Sequence, residues 1–340
     1  MSWLGIDIGG ANLKVANANG WARSTPFPLW RTRDGLPRAL AEIIDSAPAA
    51  DHLAVTMTGE LCDCYRTKTE GVRHILSSVK QCANDRSVAV YLTDGRFASL
   101  SEAYEVPTLA AARNWRAIAE YACTRVGPSD GLLVDIGSTT TDIIPIAAGK
   151  VVAQGRTDIE RLLAHELVYT GIGRTPVCAV TNVLPWKGRL CPVAAELFAT
   201  TADAYLLLEL VEEDRTATWT ADGRPLTREF AKERLARQLC ANADEIADAE
   251  FAAMAEAVRH SQLQMLCNAL SKFATNPPAT VVLSGLGEFL AKPAIQSTFP
   301  GSIQISLSET IGPAASQAAA AYALAVLASE MCRGQCHTDC

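Results

Sequence analysis

The chain has 340 residues, 49% of them hydrophobic and 20% charged, with a formal net charge of −7. That describes a globular protein with ample core, in one large domain or two, and it argues against nonspecific nucleic-acid binding, which needs a basic surface. The most apolar stretch, residues 314–328, is alanine-dominated and short of the roughly 20 residues that cross a bilayer, and no charged leader or apolar h-region precedes Trp3, so the expected location is cytoplasmic with no membrane partner.

Strands are expected at residues 3–8, 13–18 and 21–28, the last after a turn at Asn19-Gly20. Leu36, Leu40, Ile43 and Ile44 share one helical face, and His52 to Met57 reads as a buried strand. A helix over 71–81, a strand over 88–92 and a long helix over 108–126 follow. The polar break Gly127-Pro128-Ser129-Asp130 is the expected boundary between two lobes. A hairpin over 131–136 and 141–147 comes next, then a strand over 150–154 and a helix over 159–167. Residues 192–275 read as mainly helical, with a wet interruption at 212–224 and a long helix over 244–274. Strands at 280–284 and 301–306 and a helix over 313–331 close the chain. This order is α/β. The expected domains are 1–127, 128–313 with the helical insertion 192–275, the returning helix 314–331, and a tail 332–340.

Two stretches carry the chemistry. Leu4-Gly5-Ile6-Asp7-Ile8-Gly9-Gly10-Ala11-Asn12-Leu13-Lys14 is an apolar strand, a carboxylate, a glycine turn and a second strand bearing a lysine. Leu133-Val134-Asp135-Ile136-Gly137-Ser138-Thr139-Thr140-Thr141-Asp142 repeats the plan. Glycine lets backbone approach an anion closely and accepts positive φ, and successive N–H groups in such a turn form a phosphate site. Asp7 and Asp135 are the expected magnesium pair, since Mg²⁺ is usually held by one or two carboxylates plus phosphate oxygens.

Gly9, Gly10, Asn12, Gly137, Ser138, Thr139 and Thr140 are the expected phosphate contacts; Asp142 follows them to orient a water or a threonine. Lys14 either reaches a phosphate as a point charge or stays a solvated strand residue. Thr58-Gly59-Glu60 ends a strand, the usual place for function in α/β sheets. Thr58 is an expected substrate contact there, and Glu60 either takes a proton or is an ordinary surface acid. Arg174 lies in the glycine-rich link Thr170-Gly171-Ile172-Gly173-Arg174 and either grips a carboxylate or phosphate or makes an ordinary surface ion pair. His52, His74, His165 and His260 form no catalytic grouping.

Eleven cysteines occur. Cys82, Cys123, Cys178, Cys240 and Cys267 read as buried free thiols. Cys62-Asp63-Cys64 lacks a second pair at zinc spacing. Cys332, Cys336, His337 and Cys340 either hold zinc or form a frayed tail.

These paired loops, with Ser284-Gly285-Leu286-Gly287 after Val281-Val282-Leu283, resemble the actin, sugar kinase and Hsp70 superfamily. The narrower resemblance is to its hydantoinase/oxoprolinase-like branch. Within that branch the chain is similar to proteins linked to tetrahydromethanopterin one-carbon metabolism, relatives of the synthase that builds the furfuryl ether of methanofuran. It is carried by residues 5–14, Thr56-Met57-Thr58-Gly59-Glu60-Leu61, Tyr169-Thr170-Gly171, Arg174-Thr175-Pro176-Val177 and Ala195-Glu196-Leu197-Phe198-Ala199-Thr200.

The resemblance implies a two-lobed actin-like (ribonuclease H-like) fold with the active site in the inter-lobe cleft and the final helix returning to the first lobe. It implies a transferase that joins an aminomethylfuran-methyl diphosphate to the phenol of γ-glutamyltyramine and releases pyrophosphate. Two alternatives remain: an ATP-dependent kinase or amidohydrolase, with Gly285 and Gly287 seating the adenosine of ATP or ADP, and a nucleotide-binding assembly protein. Ala11-Asn12 departs from the Thr or Ser usual after these glycines in kinase-like relatives, which removes a common γ-phosphate contact. The sequence leaves the oligomeric state open.

Overall fold

The structure, a computed structural model, describes residues 2–112 and 114–336. The chain forms two compact units. One comprises Met1–Leu133, Ile144–Glu160 and Ile305–Cys340; the other comprises Val134–Ile143 and Arg161–Gln304. The exchange falls inside a strand rather than at the polar break 127–130. That break is a turn, with Gly127 at φ +68° and Asp130 accepting a hydrogen bond from the Ala148 amide at 3.1 Å.

The first unit is built on β1 (Trp3–Ile8), β2 (Asn12–Asn17), β3 (Ala22–Pro26), β4 (His52–Met57), β5 (Ser87–Tyr91) and β6 (Phe97–Ser99), in the order β3-β2-β1-β4-β5-β6. β1, β2 and β3 make an antiparallel meander, while β4 runs parallel to β1 and β5 parallel to β4. Leu4, Ile6 and Ile8 join Leu40, Ile44, Val55, Val72 and Ile75 in a core beneath the helices Leu36–Asp45 and Lys68–Cys82.

The opposite face takes the C-terminal helix Ala319–Cys336. A Cβ at Gly5 would lie 1.8 Å from the Ala321 carbonyl oxygen, so this helix packs on bare backbone. Its Tyr322 meets Tyr121 of the helix Asn114–Val126 edge-on at 5.4 Å. Two expected helices are broken. Ala112 at φ +51° separates Pro107–Ala110 from Asn114–Val126, and the C-terminal segment divides into Leu307–Ile311, Pro313–Gln317 and Ala319–Cys336. An alanine run gives no local warning of either break.

The second sheet contains β7 (Gly131–Ile136), β8 (Thr141–Ala147), β9 (Lys150–Val151), β10 (Leu167–Val168), β13 (Thr280–Gly285) and β14 (Ile303–Ser306). Its order, β10-β8-β7-β13-β14 with β9 on β8, repeats the third-second-first-fourth-fifth order of the first sheet. The hairpin of β11 (Val183–Trp186) and β12 (Arg189–Pro192) opens the insertion, turning at Lys187-Gly188. The insertion carries the helices Thr201–Leu207, Arg228–Arg237 and Asp248–Leu270. Arg234 and Asp203, both fully buried, pair at 2.7 Å in its centre.

The expected free thiols are free, but of the five only Cys82 is buried: Cys123, Cys178 and Cys267 are half-buried and Cys240 is exposed. The tail chemistry of His337 and Cys340 lies outside the described residues. Among the described residues no helix is long and apolar enough to cross a membrane.

Candidate active site

In the first unit the functional side chains sit at the carboxyl ends of β1 and β4. Asp7 is the register partner of Lys14 on β2 and of Thr56 on β4, so the three share one face of the sheet. It is the face of Gly5, on which the C-terminal helix lies. Asp7 is buried, at 3% exposure, and the fully buried Thr56 hydroxyl has no hydrogen-bond partner among the described residues.

Loop one turns at Gly9 to Asn12, with the Gly9 amide donating to the Asn12 carbonyl at 3.0 Å. Neither Gly9 nor Gly10 is among the described positive-φ glycines, so conformational freedom is not why they are glycine. Space is the reason: a Cβ on Gly9 would lie 3.0 Å from the Asn12 carbonyl oxygen, and one on Gly10 would lie 2.7 Å from Cys62 Sγ. The Leu29 amide donates to the Gly10 carbonyl at 3.0 Å. In a trans peptide the N–H points opposite to the C=O of the same plane, so the Ala11 N–H is aimed away from Leu29.

Thr58-Gly59-Glu60 packs against this loop. The Thr58 amide donates to the Ile8 carbonyl at 3.0 Å, and a Cβ on Gly59 would sit 3.2 Å from Gly9. Glu60 is 1% exposed, not the surface acid of the alternative reading. Burial pushes its pKa up to about 7. The amides of Glu60 and Ala112, and the Lys68 ammonium, pull the other way but are outweighed. Lys68 is itself tied to Asp158 at 3.0 Å. A carboxyl titrating near neutrality is suited to general acid–base work.

The second unit repeats the loop. The Gly137 amide donates to the Thr140 carbonyl at 2.9 Å, the counterpart of Gly9 and Asn12. The carbonyls are then held by the link that follows β10: the Ile172 amide donates to Gly137 O at 3.0 Å, and those of Gly173 and Arg174 donate to Ser138 O at 2.9 and 2.8 Å. The Thr139 N–H is therefore directed away from that link, as Ala11 N–H is from Leu29. A Cβ on Gly171 would lie 2.5 Å from the Thr139 nitrogen, so only glycine fits beneath the loop.

Gly285 is glycine for two reasons. Its φ is +87°, and a Cβ there would lie 2.4 Å from Ile136 O and 2.8 Å from Asp135 Oδ1. Gly287 donates its amide to Ile136 O at 3.0 Å. Both glycines thus lock β13 to the root of loop two. Asp142, expected to orient a water or threonine, instead pairs with the buried Arg161 at 2.5 Å. That pair fixes the base of β8.

The structure therefore gathers Asp7, Gly9, Gly10, Asn12, Lys14, Thr58 and Glu60 in one unit, and Asp135, Gly137, Ser138, Thr139, Thr140, Arg174, Gly285 and Gly287 in the other. Leu29 is a site element that motif reading missed, and Thr56 and the 171–173 segment lay inside the quoted motifs with no role assigned to them. The Gly-x-Gly spacing of Gly171 and Gly173 was their one visible signal.

Residues 51–330 match the hydantoinase/oxoprolinase family. Across 95% of this chain and 96% of its own length, the (4-{4-[2-(gamma-L-glutamylamino)ethyl]phenoxymethyl}furan-2-yl)methanamine synthase of Methanocaldococcus jannaschii is 37% identical. The chain belongs to the hydantoinase/oxoprolinase family. The synthase of the same name from Methanococcus vannielii is 32% identical over 58% of this chain and 89% of its own length. The chain is an enzyme of transferase type, built of two compact α/β units.

Among solved structures, nucleotide-free acetone carboxylase aligns with a TM-score of 0.47 at 13% identity, covering 92% of this chain. This chain spans about half of that one, 51% of its length. The activator of 2-hydroxyisocaproyl-CoA dehydratase from Clostridium difficile aligns with a TM-score of 0.44 at 12% identity, covering 98% of each chain.

Proposed function

We propose that this family member forms an aryl furfuryl ether, joining an aminomethylfuran-methyl diphosphate to the phenol of γ-glutamyltyramine and releasing pyrophosphate. The single observation that carries the reading is the near full-length identity of 37% to a synthase whose named product contains a phenoxymethyl furan. In that product the new bond joins a phenol oxygen to a furan methylene carbon. The bond broken is that carbon's bond to the diphosphate oxygen, and the phenol proton must go to a base.

The residues present fit magnesium. Asp7 and Asp135 are oxygen donors rooted in the matched loops, as a hard cation requires. Among the described residues no cluster of three or more His, Cys, Asp or Glu forms a ready-made cage. Magnesium keeps several waters and takes its remaining ligands largely from phosphate oxygens. When bound, magnesium would neutralise charge building on the departing pyrophosphate.

The chain's own groups supply the rest. The Ala11 and Thr139 N–H groups, with Lys14, stabilise the oxygens that gain charge as the carbon–oxygen bond breaks. The furan spreads the positive charge left on its methylene carbon. Glu60, with a pKa of about 7, takes the phenol proton.

The test is direct. Enzyme, magnesium, the diphosphate and γ-glutamyltyramine are combined, with pyrophosphate and the ether measured. Stoichiometric ether and pyrophosphate support the reading. No ether, but steady phosphate release from ATP alone, favours the kinase or amidohydrolase alternative, and nucleotide-dependent polymerisation without turnover favours an assembly protein.

A further inference from the structure

We propose that Gln262 is a positioning residue for phosphate loop two, tying that loop to the helical insertion. The loop's purpose rests on the function proposed above; the tie does not. Gln262 lies on the helix Asp248–Leu270, far in sequence from the loop, and is fully buried. Its Nε2 donates to Thr170 Oγ1 at 2.8 Å and to the Gly171 carbonyl at 2.9 Å. Its Oε1 accepts from the Tyr205 hydroxyl at 2.5 Å. A carbonyl only accepts, so the amide orientation is forced: nitrogen faces Gly171 and oxygen faces Tyr205.

Those contacts reach the site through one short segment. Thr201 Oγ1 also donates to the Gly171 carbonyl, at 2.8 Å, and Thr175 Oγ1 accepts from the Gly171 amide at 2.8 Å. Gly171 is thereby clamped from the insertion side. Its other side presses on loop two, and the next three amides hold the Gly137 and Ser138 carbonyls. Those carbonyls set where the Thr139 N–H points. Releasing Gln262 leaves Gly171 and Thr170 with weaker anchors, and the loop loses its fixed orientation. No substrate atom needs to touch Gln262 for this to matter.

The test compares wild type, Gln262→Leu and Gln262→Glu in the full chain. The first readout is amide exchange of residues 172–174 without ligand, normalised to intrinsic rates. In Gln262→Leu it should rise about tenfold or more, since a buried pair of acceptors loses its donor. The second is magnesium pyrophosphate binding by calorimetry, which should weaken about tenfold while the circular dichroism of the folded chain is kept.

Gln262→Glu covers a Leu variant that fails to fold. Protonated at pH 5, it still donates to Gly171; ionised at pH 8, it cannot. Loop exchange in this variant should therefore climb between pH 5 and pH 8 beyond the intrinsic trend, and wild type should show no such excess. Unchanged exchange at 172–174 in both variants overturns the proposal. A wild type indifferent to magnesium pyrophosphate would instead defeat the functional reading, while the exchange data still judge Gln262.

Discussion

Asp7 and Lys14 are direct partners across the antiparallel strands β1 and β2, so a buried carboxylate and a half-buried ammonium share one side of the sheet beside loop one. A carboxylate that holds a cation and a lysine that faces the same anion have complementary duties. Removing either charge should leave the core untouched, because both side chains lie outside the Leu4, Ile6 and Ile8 cluster. Asp7→Asn is expected to lower kcat by at least about a hundredfold, a loss on the scale seen when one preorganised electrostatic group is removed. Lys14→Met should mainly raise KM for the diphosphate. Near-normal turnover of Asp7→Asn at limiting magnesium would remove Asp7 from the metal site.

Glu60 gives a prediction in two parts. As a base it must be ionised, so kcat/KM should rise with pH through about 7, and Glu60→Gln should lose about a hundredfold or more along with that limb. Stability runs the opposite way. A carboxyl whose folded pKa is raised stabilises the fold most below its unfolded value of about 4.5, and that contribution is lost as pH climbs to about 7. Glu60→Gln removes the burden of burying the charge. It should therefore be more stable than wild type at pH 8, by roughly 3 kcal/mol, and no more stable near pH 4. Equal pH dependence of melting in the two proteins would show that Glu60 is not buried as a carboxyl.

The loops were legible in the sequence because their chemistry is local. Asp7-Ile8-Gly9 and Asp135-Ile136-Gly137 each follow an apolar strand, and the structure gives both the same turn, closed by the same amide-to-carbonyl bond. Glu60's burial was not legible, since nothing near Thr58-Gly59 says that the turn folds inward. Ala112 was misread because helix propensity favours alanine, whereas the chain turns there at a left-handed φ. Gln262 carried no signal at all: its three hydrogen bonds join residues tens of positions apart.

Gly5 marks a close approach that is purely structural. With its Cβ position 1.8 Å from Ala321 O, Gly5→Ala must push the C-terminal helix off β1. Overpacking of this kind typically costs 1–3 kcal/mol, and clash with backbone rather than a movable side chain puts the expectation at about 3 kcal/mol or more. Denaturant unfolding measures it. A change below about 1 kcal/mol would mean that this helix does not bear on the strand.

The geometry of the two loops predicts which amides an anion should protect. Gly9 and Gly137 N–H already donate to Asn12 and Thr140 carbonyls, so their exchange should not respond to ligand. Ala11 and Thr139 N–H are the matched pair turned away by the hydrogen bonds on Gly10 and Ser138 carbonyls. Magnesium pyrophosphate should slow exchange at Ala11 and Thr139 and leave Gly9 and Gly137 unchanged. At a hundred times its dissociation constant it should also add about 2.7 kcal/mol of stability by mass action. Gly171→Ala, which drives a methyl into loop two, should abolish the effect at Thr139 and spare Ala11 if each loop binds on its own. Loss at both would mean that the two loops bind the anion as one. Exchange slowing at Gly9 and Gly137 instead, or no slowing anywhere, would show that the carbonyl-holding segments do not aim these donors at phosphate.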